Sequence, residues 1–156
     1  MSSPALEAAI PTGATLLLDT SVVLAYLSGA ERTSALATAI LDDMVAPGRN
    51  PAVISAVTVT ESLVRPYRAS SVQAVDLVLA FLGHFPGLRV EPVTFEVGRR
   101  AAEIRAATAA PTPDALILAT GVEAAASVAI ANDARWAGII DRAGLPLALL
   151  RLDSLS

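Results

Sequence analysis

Short, nearly continuous apolar runs alternate along the chain with longer stretches in which apolar positions recur every three or four residues. The first run, ATLLLDT (14–20), predicts a buried strand, and SVVLAYL (21–27) the helix that follows it. Leu36, Ile40 and Met44 continue at helical spacing until APGRNP (46–51), with two prolines and a glycine, breaks the pattern. AVISAV (52–57) predicts a second strand, and TVTESLVRPY (58–67) a helix ending near Pro66. Val72, Val75, Leu79 and Leu82 mark another helix, closed by GHFPG (83–87). LRVEPV (88–93) is a third strand, with a proline near its end, and Val97, Ala101 and Ile104 form one helical face after it. Beyond AAPTP (109–113), DALILATGVEAA (114–125) predicts a very apolar helix and SVAIA (127–131) strand four; DARWAGIIDRAG (133–144) and LPLALL (145–150) are a last helix and strand.

Strands that are apolar throughout and alternate with helices belong in a parallel sheet covered on both faces. The expected fold class is therefore α/β: a three-layer α/β/α sandwich with a mostly parallel sheet of about five strands. At 156 residues the chain fits one domain, 1–156, with residues 1–14 expected as a loose N-terminal segment. A mean hydropathy of +0.59 raises the question of a membrane span. The best stretch, 115–131, is alanine-rich and interrupted by Gly121, Glu123 and Ser127, so no membrane association is expected. MSSPALEAAIPTGA has no basic flank before an apolar core and does not resemble a secretory signal, which leaves the cytoplasm as the expected location.

With no cysteine, disulfides and thiolate ligands are excluded, and the single histidine, His84, lies in the GHFPG loop. Any metal site must rest on oxygen. All 11 basic residues are arginine, which removes Schiff-base chemistry and the lysine that a phosphoacceptor receiver domain needs. A dinucleotide fold would need glycines in the first turn, where LLLDTSVV has none. The formal charge of −4 weighs against nonspecific attraction to nucleic acid.

Acids remain. Asp19 ends strand one, Asp133 follows strand four, Glu61 lies in the first turn of the helix after strand two, and Asp114 opens the helix before strand four. Singly, each suits helix capping or the macrodipole; Thr58 and Glu61 fit a capping box, and Thr112, Pro113 and Asp114 an N-cap, an N1 proline and an acidic first turn. Jointly, if the strands of Asp19, Glu61 and Asp133 are neighbours, the carboxylates converge on one sheet edge and repel. Arg135 is the nearest cation in sequence. A divalent ion would resolve the repulsion, and oxygen ligands alone suit Mg²⁺ or Mn²⁺.

These motifs resemble the PIN-domain family, and within it the VapC-type toxins of toxin–antitoxin pairs, from about Thr15 to Leu150. LLLDTS resembles that family's strand ending in Asp-Thr/Ser, SAVTVTESL its S-x-x-T-x-x-E segment, DALILAT its D-x-x-I-x-A helix, and ANDARW its Thr-x-Asp motif. Ala131 stands where the family commonly has Thr or Ser, with Asn132 beside it as a partial substitute. The resemblance implies a Mg²⁺- or Mn²⁺-dependent endoribonuclease with Asp19, Glu61, Asp114 and Asp133 as metal-binding and catalytic acids. It also implies an RNA substrate, a small inhibitory antitoxin protein and a homodimer. Thr20, Asn132 and Arg135 are the candidate substrate contacts, and Val23, Tyr26, Leu27 and Leu36 the candidate anchoring face for the antitoxin. The rival reading is a catalytically degenerate PIN-like binding module, favoured by Ala131 and the acidic charge and opposed by the four acids.

Overall fold

Three consecutive leucines, Leu16–Leu18, form β1 and have no solvent-facing side, so both faces of this strand must be covered. A computed structural model, describing residues 3–155, shows how. β1 is the middle strand of five, with β2 (Ala52–Ser55), β3 (Leu88–Glu91), β4 (Val128–Ala131) and β5 (Ala148–Arg151), all parallel, in the order β3-β2-β1-β4-β5. The sheet expected to be mostly parallel is parallel throughout.

The two-residue period of the strands divides the core. Leu16, Leu18, Ala52, Ile54, Val128 and Ile130 point into one layer, and Leu17, Val53, Ala129 and Ala131 into the other. Helices α1 (Pro4–Ala9), α2 (Thr20–Ser28), α3 (Ser34–Thr38) and α5 (Val72–His84) serve the first layer. α6 (Phe95–Ala107), α7 (Thr112–Glu123) and α8 (Arg135–Ala143) serve the second. α4 (Ala56–Arg68) reaches both, through Leu63 on one side and Val57 on the other. Among the described residues no helix is long and apolar enough to cross a membrane.

Four local expectations need correction. The N-terminal segment is not loose: Leu6 and Ile10 of the α1 region are fully buried. The buried Asn50 donates its amide to the carbonyls of Pro11 (2.8 Å) and Ala14 (2.9 Å), tying the segment to the body. The helix through Leu36, Ile40 and Met44 is two pieces, since α3 passes into π-helical turns over Ala39–Val45 in which Ile40, Leu41, Met44 and Val45 are all buried. The second strand stops at Ser55, whose hydroxyl accepts from Val57 N (3.1 Å) and starts α4 two residues earlier than the apolar run suggests. That helix then passes through Pro66 to Arg68, the proline giving up its own N–H bond while Ala69 N still donates to Arg65 O (3.0 Å).

α7 crosses β1 at very close range, and Gly121 makes this possible. A Cβ at position 121 would stand 2.5 Å from Cδ2, 3.0 Å from Cγ and 3.1 Å from Cβ of the fully buried Leu17. Gly121→Ala is expected to destabilise the protein by about 1–2 kcal/mol, since overpacking outweighs the roughly 1 kcal/mol that alanine gains in helix propensity. Urea unfolding checks this; an unchanged or raised midpoint would contradict the close crossing.

Candidate active site

All five strands point the same way, so their carboxyl ends share one edge, and the chain order reverses between β1 and β4. Such a switch point leaves a crevice where the loops diverge. Asp19 leaves β1 there, its N–H donating to Ile130 O (2.9 Å), and Asn132 and Asp133 leave β4 beside it. α7 ends where β4 begins, so its opposite end, carrying Asp114, lies at the same edge. β2 neighbours β1 and feeds α4, which brings Glu61 to the same edge; Thr20 Oγ1 donates to Glu61 Oε1 (2.7 Å). The adjacency of strands one, two and four, set as the condition for Asp19, Glu61 and Asp133 to share one sheet edge, is met.

Helix capping does not account for Asp19 or Glu61. Asp19 occupies the N-cap position of α2 but makes no side-chain capping bond of good geometry. Glu61 is the sixth residue of α4 rather than a first-turn acid, because Ser55 starts that helix, and no capping box forms. Thr58 is buried and its hydroxyl pairs with that of Thr20 (2.9 Å). Asp133 does have a capping role, since Oδ1 accepts from Arg135 N (2.9 Å). Asp114 is the third residue of α7, behind Pro111 at the N-cap, a position that also suits the macrodipole.

Burial divides the acids electrostatically. Asp19 is only 8% exposed. Desolvation pushes its carboxyl up to about 6, the nearby Asp114 charge adding to this, while a 2.7 Å hydrogen bond from Ser21 Oγ and the N–H groups of Thr20 and Ser21 partly offset it. Asp114, its side chain 19% exposed, is also raised, first by burial and then by the charges of Asp133 and Glu61. The buried indole N–H of Trp136, which has no well-aligned acceptor, and Arg135 act in the opposite direction. Asp133 is instead held below the usual carboxylate range, chiefly by hydrogen bonds from Arg135, with Arg151 contributing.

Each acid is turned to a protein partner: Asp19 to Ser21, Glu61 to Thr20, Asp133 to Arg135, and Asp114 to the same guanidinium at 3.6 Å. Among the described residues no three of them stand close enough together to chelate an ion as placed. The donor set is nonetheless the hard-oxygen kind that Mg²⁺ and Mn²⁺ take. The Arg135 guanidinium, spanning Asp133 and Asp114, shows that a cation is accommodated between them.

Of the candidate substrate contacts, Arg135 is exposed at the crevice, whereas Thr20 is buried and braces Glu61. Asn132 donates its amide to Thr33 Oγ1 (3.1 Å) and its backbone N–H to Ser21 Oγ (3.2 Å). Ser21 and Arg151 are not named from sequence, Thr58 is named only as a motif and capping-box position, and Trp136 reads there as a core aromatic. Ser21 could have been found from the hydroxyl following Asp-Thr in LLLDTS; Trp136 and Arg151 carry no such local signal. Of the proposed anchoring residues, Val23 is fully buried core, and Tyr26 packs on Phe81 and Phe85 (centroids 5.2 and 5.7 Å). Leu27 does line an open groove of about 260 Å³, with Leu24, Arg65, Pro66 and Leu77, that reaches Glu61.

The PIN domain family model matches residues 16–141. The chain belongs to the PIN-domain family. Its structural neighbours are VapC toxins of VapBC toxin–antitoxin systems. VapBC2 from Rickettsia felis, bound to a promoter DNA fragment, aligns with a TM-score of 0.65 at 15% identity, over 86% of this chain and 98% of that one. Mycobacterium tuberculosis VapC20, a sarcin-ricin loop cleaving toxin, aligns at 0.63 and 19%, over 80% and 93%. DNA-bound VapBC from Salmonella typhimurium aligns at 0.57 and 18%, over 88% and 98%. At these identities the likeness is one of fold. No curated protein sequence matches this one.

The raised carboxyl of Asp19 sets a pH dependence of stability. Between the ordinary aspartate value of 3.8 and about 6, the folded state holds a proton that the unfolded state has lost. Stability from this group is therefore present below about pH 4 and is lost as pH rises through about 6. The full shift corresponds to about 3 kcal/mol. In EDTA, the wild-type stability minus that of Asp19→Asn should fall with pH across this window and level off above it. Urea melts from pH 4 to 7.5 check this, and a pH-independent difference would contradict it.

Proposed function

We propose that this PIN domain is a Mg²⁺- or Mn²⁺-dependent endoribonuclease acting as the toxin of a toxin–antitoxin pair. The observation that carries the proposal is the meeting of Asp19 and Asp114, both desolvated and both held toward their protonated forms, at the sheet's switch point. A fold has no structural need for mutually repelling, buried acids, and perturbed carboxyls in a crevice are a mark of function. PIN domains are typically metal-dependent nucleases, which supports the same reading.

Asp19, Glu61, Asp114 and Asp133 would hold the ion. A bound divalent cation there supplies charge neutralisation at a phosphodiester and water of lowered pKa. The chain's own residues prepare that chemistry. Asp19 must give up its proton to act as a ligand, and the Ser21 hydroxyl on Oδ2 fixes the direction of its carboxylate. Thr58 and Thr20 form a buried hydroxyl pair that orients Glu61 from below. Trp136 favours the charged form of Asp114 without adding a competing cation. Arg135, at the mouth of the crevice, is suited to a phosphate oxygen through its planar fork of donors.

The groove beside Glu61 is suited to an apolar helix or strand of a small antitoxin, with a cationic side chain that reaches the acids and pairs with them in the desolvated crevice. A binding module without catalysis is favoured by one specific feature, the engagement of every acid by a protein partner, together with Ala131 in place of a hydroxyl residue.

With Mn²⁺, the purified protein is expected to cleave single-stranded or looped RNA, EDTA to abolish cleavage, and Asp114→Asn to reduce it at least about a hundredfold with the fold retained by circular dichroism. Expression of the chain alone should slow growth, and Asp19→Asn should relieve this. Unimpeded growth under strong expression of the unmutated chain, with no RNA cut in vitro, would establish the binding-module reading instead.

A further inference from the structure

Arg135 contacts two of the acids at once. Its Nε stands 3.1 Å from both oxygens of Asp133, its Nη2 2.6 Å from Asp133 Oδ2 and 3.6 Å from Asp114 Oδ2. A multidentate guanidinium on one carboxylate and an ion pair to the next neutralise charge where a divalent ion would have to do the same. The Asp133 oxygens so engaged are no longer free to turn toward Asp19 and Glu61.

We propose that Arg135 is an internal counter-cation: its guanidinium holds Asp133 and Asp114 in the metal-free protein and must be displaced before these acids can ligate a divalent ion. The inference rests on the metal-dependent reading above. Three features make displacement feasible. The Arg135 side chain is 66% exposed, so releasing it uncovers little apolar surface. It already lines an open pocket of about 300 Å³ with Pro111, Gly138 and Arg142, into which it can swing. The contacts it gives up are solvent-accessible ion pairs, which individually contribute little. Once released, the guanidinium remains at the crevice, where it is available to an RNA phosphate. Metal loading and substrate binding would then be coupled through one side chain.

The sole tryptophan, Trp136, is buried next to Asp114 and reports on the site without any need for catalysis. Mn²⁺ titration by tryptophan fluorescence should give a dissociation constant about threefold to tenfold lower for Arg135→Gln than for wild type. Arg142→Gln carries the same charge change on the same helix and lines the same pocket, and its constant should move less than about twofold. In EDTA, Arg135→Gln should melt below wild type, and added Mn²⁺ should raise its Tm by more than it raises that of wild type. An equal or weaker Mn²⁺ affinity in Arg135→Gln would overturn the counter-cation while leaving the metal centre standing. Equal tightening by Arg142→Gln would overturn it too, by reducing it to bulk electrostatics. Absence of Mn²⁺ binding in wild type and variant alike would remove the metal centre itself, and the counter-cation with it.

Discussion

Removing a carboxylate from water costs several kcal/mol unless something compensates, and the site is organised around that cost at Asp19. β1 is buried on both faces because β2 and β4 flank it and helices cover it, so the residue that ends β1 is carried into the interior with it. The compensation is partial. Ser21 offers one hydroxyl and the start of α2 offers nearby N–H groups, but Asp114 adds a second negative charge. A carboxyl so placed binds a proton more tightly than usual, and a hard cation, if bound as proposed, would offset the same desolvation and repulsion.

Much of the rest of the structure serves to bring other acids to that point. Parallel strands put every carboxyl end on one edge, and the reversal of strand order between β1 and β4 opens that edge into a crevice. α7 lies close over β1 because Gly121 has no side chain, and this close approach carries Asp114 toward Asp19. The second core layer is lined by small residues where α7 lies, Ala115, Ala119, Ala129 and Ala131 among them, while the first is filled by larger aliphatic and aromatic side chains. Ala131 therefore has a packing role in the second core layer, beneath α7 and α8.

The layer architecture and the order of elements were legible because each strand is apolar throughout, a pattern that only a sheet covered on both sides explains. What escaped were boundaries decided by hydrogen bonds rather than by hydropathy. Ala56 and Val57 extend an apolar run, yet the Ser55 hydroxyl turns them into helix, and this moves Glu61 away from the first turn. The N-terminal segment, rich in alanine and proline, reads as loose, yet Leu6 and Ile10 find a place in the first core and Asn50, distant in sequence, secures it. At the site, the acids could be named from motif spacing. The hydroxyls of Ser21 and Thr58 stand in the same motifs, but their orienting roles emerge only in the fold, and the indole that faces Asp114 has no motif signal at all.

The acids also differ among themselves in a way that sequence cannot express. Asp19 and Asp114 are deep and proton-hungry, whereas Asp133 is shallow and firmly ionised under Arg135. A cation entering this site would meet Asp133, charged but engaged by Arg135, then Asp114, shared with the same guanidinium and raised by burial, and last Asp19, which no cation contacts but which is costly to ionise. The two resistances are different in kind: one is a competing positive charge, sensitive to salt, and the other a proton, sensitive to pH. If the site holds the proposed divalent ion, that ion would have to offset both costs, which its higher charge does better than a monovalent one.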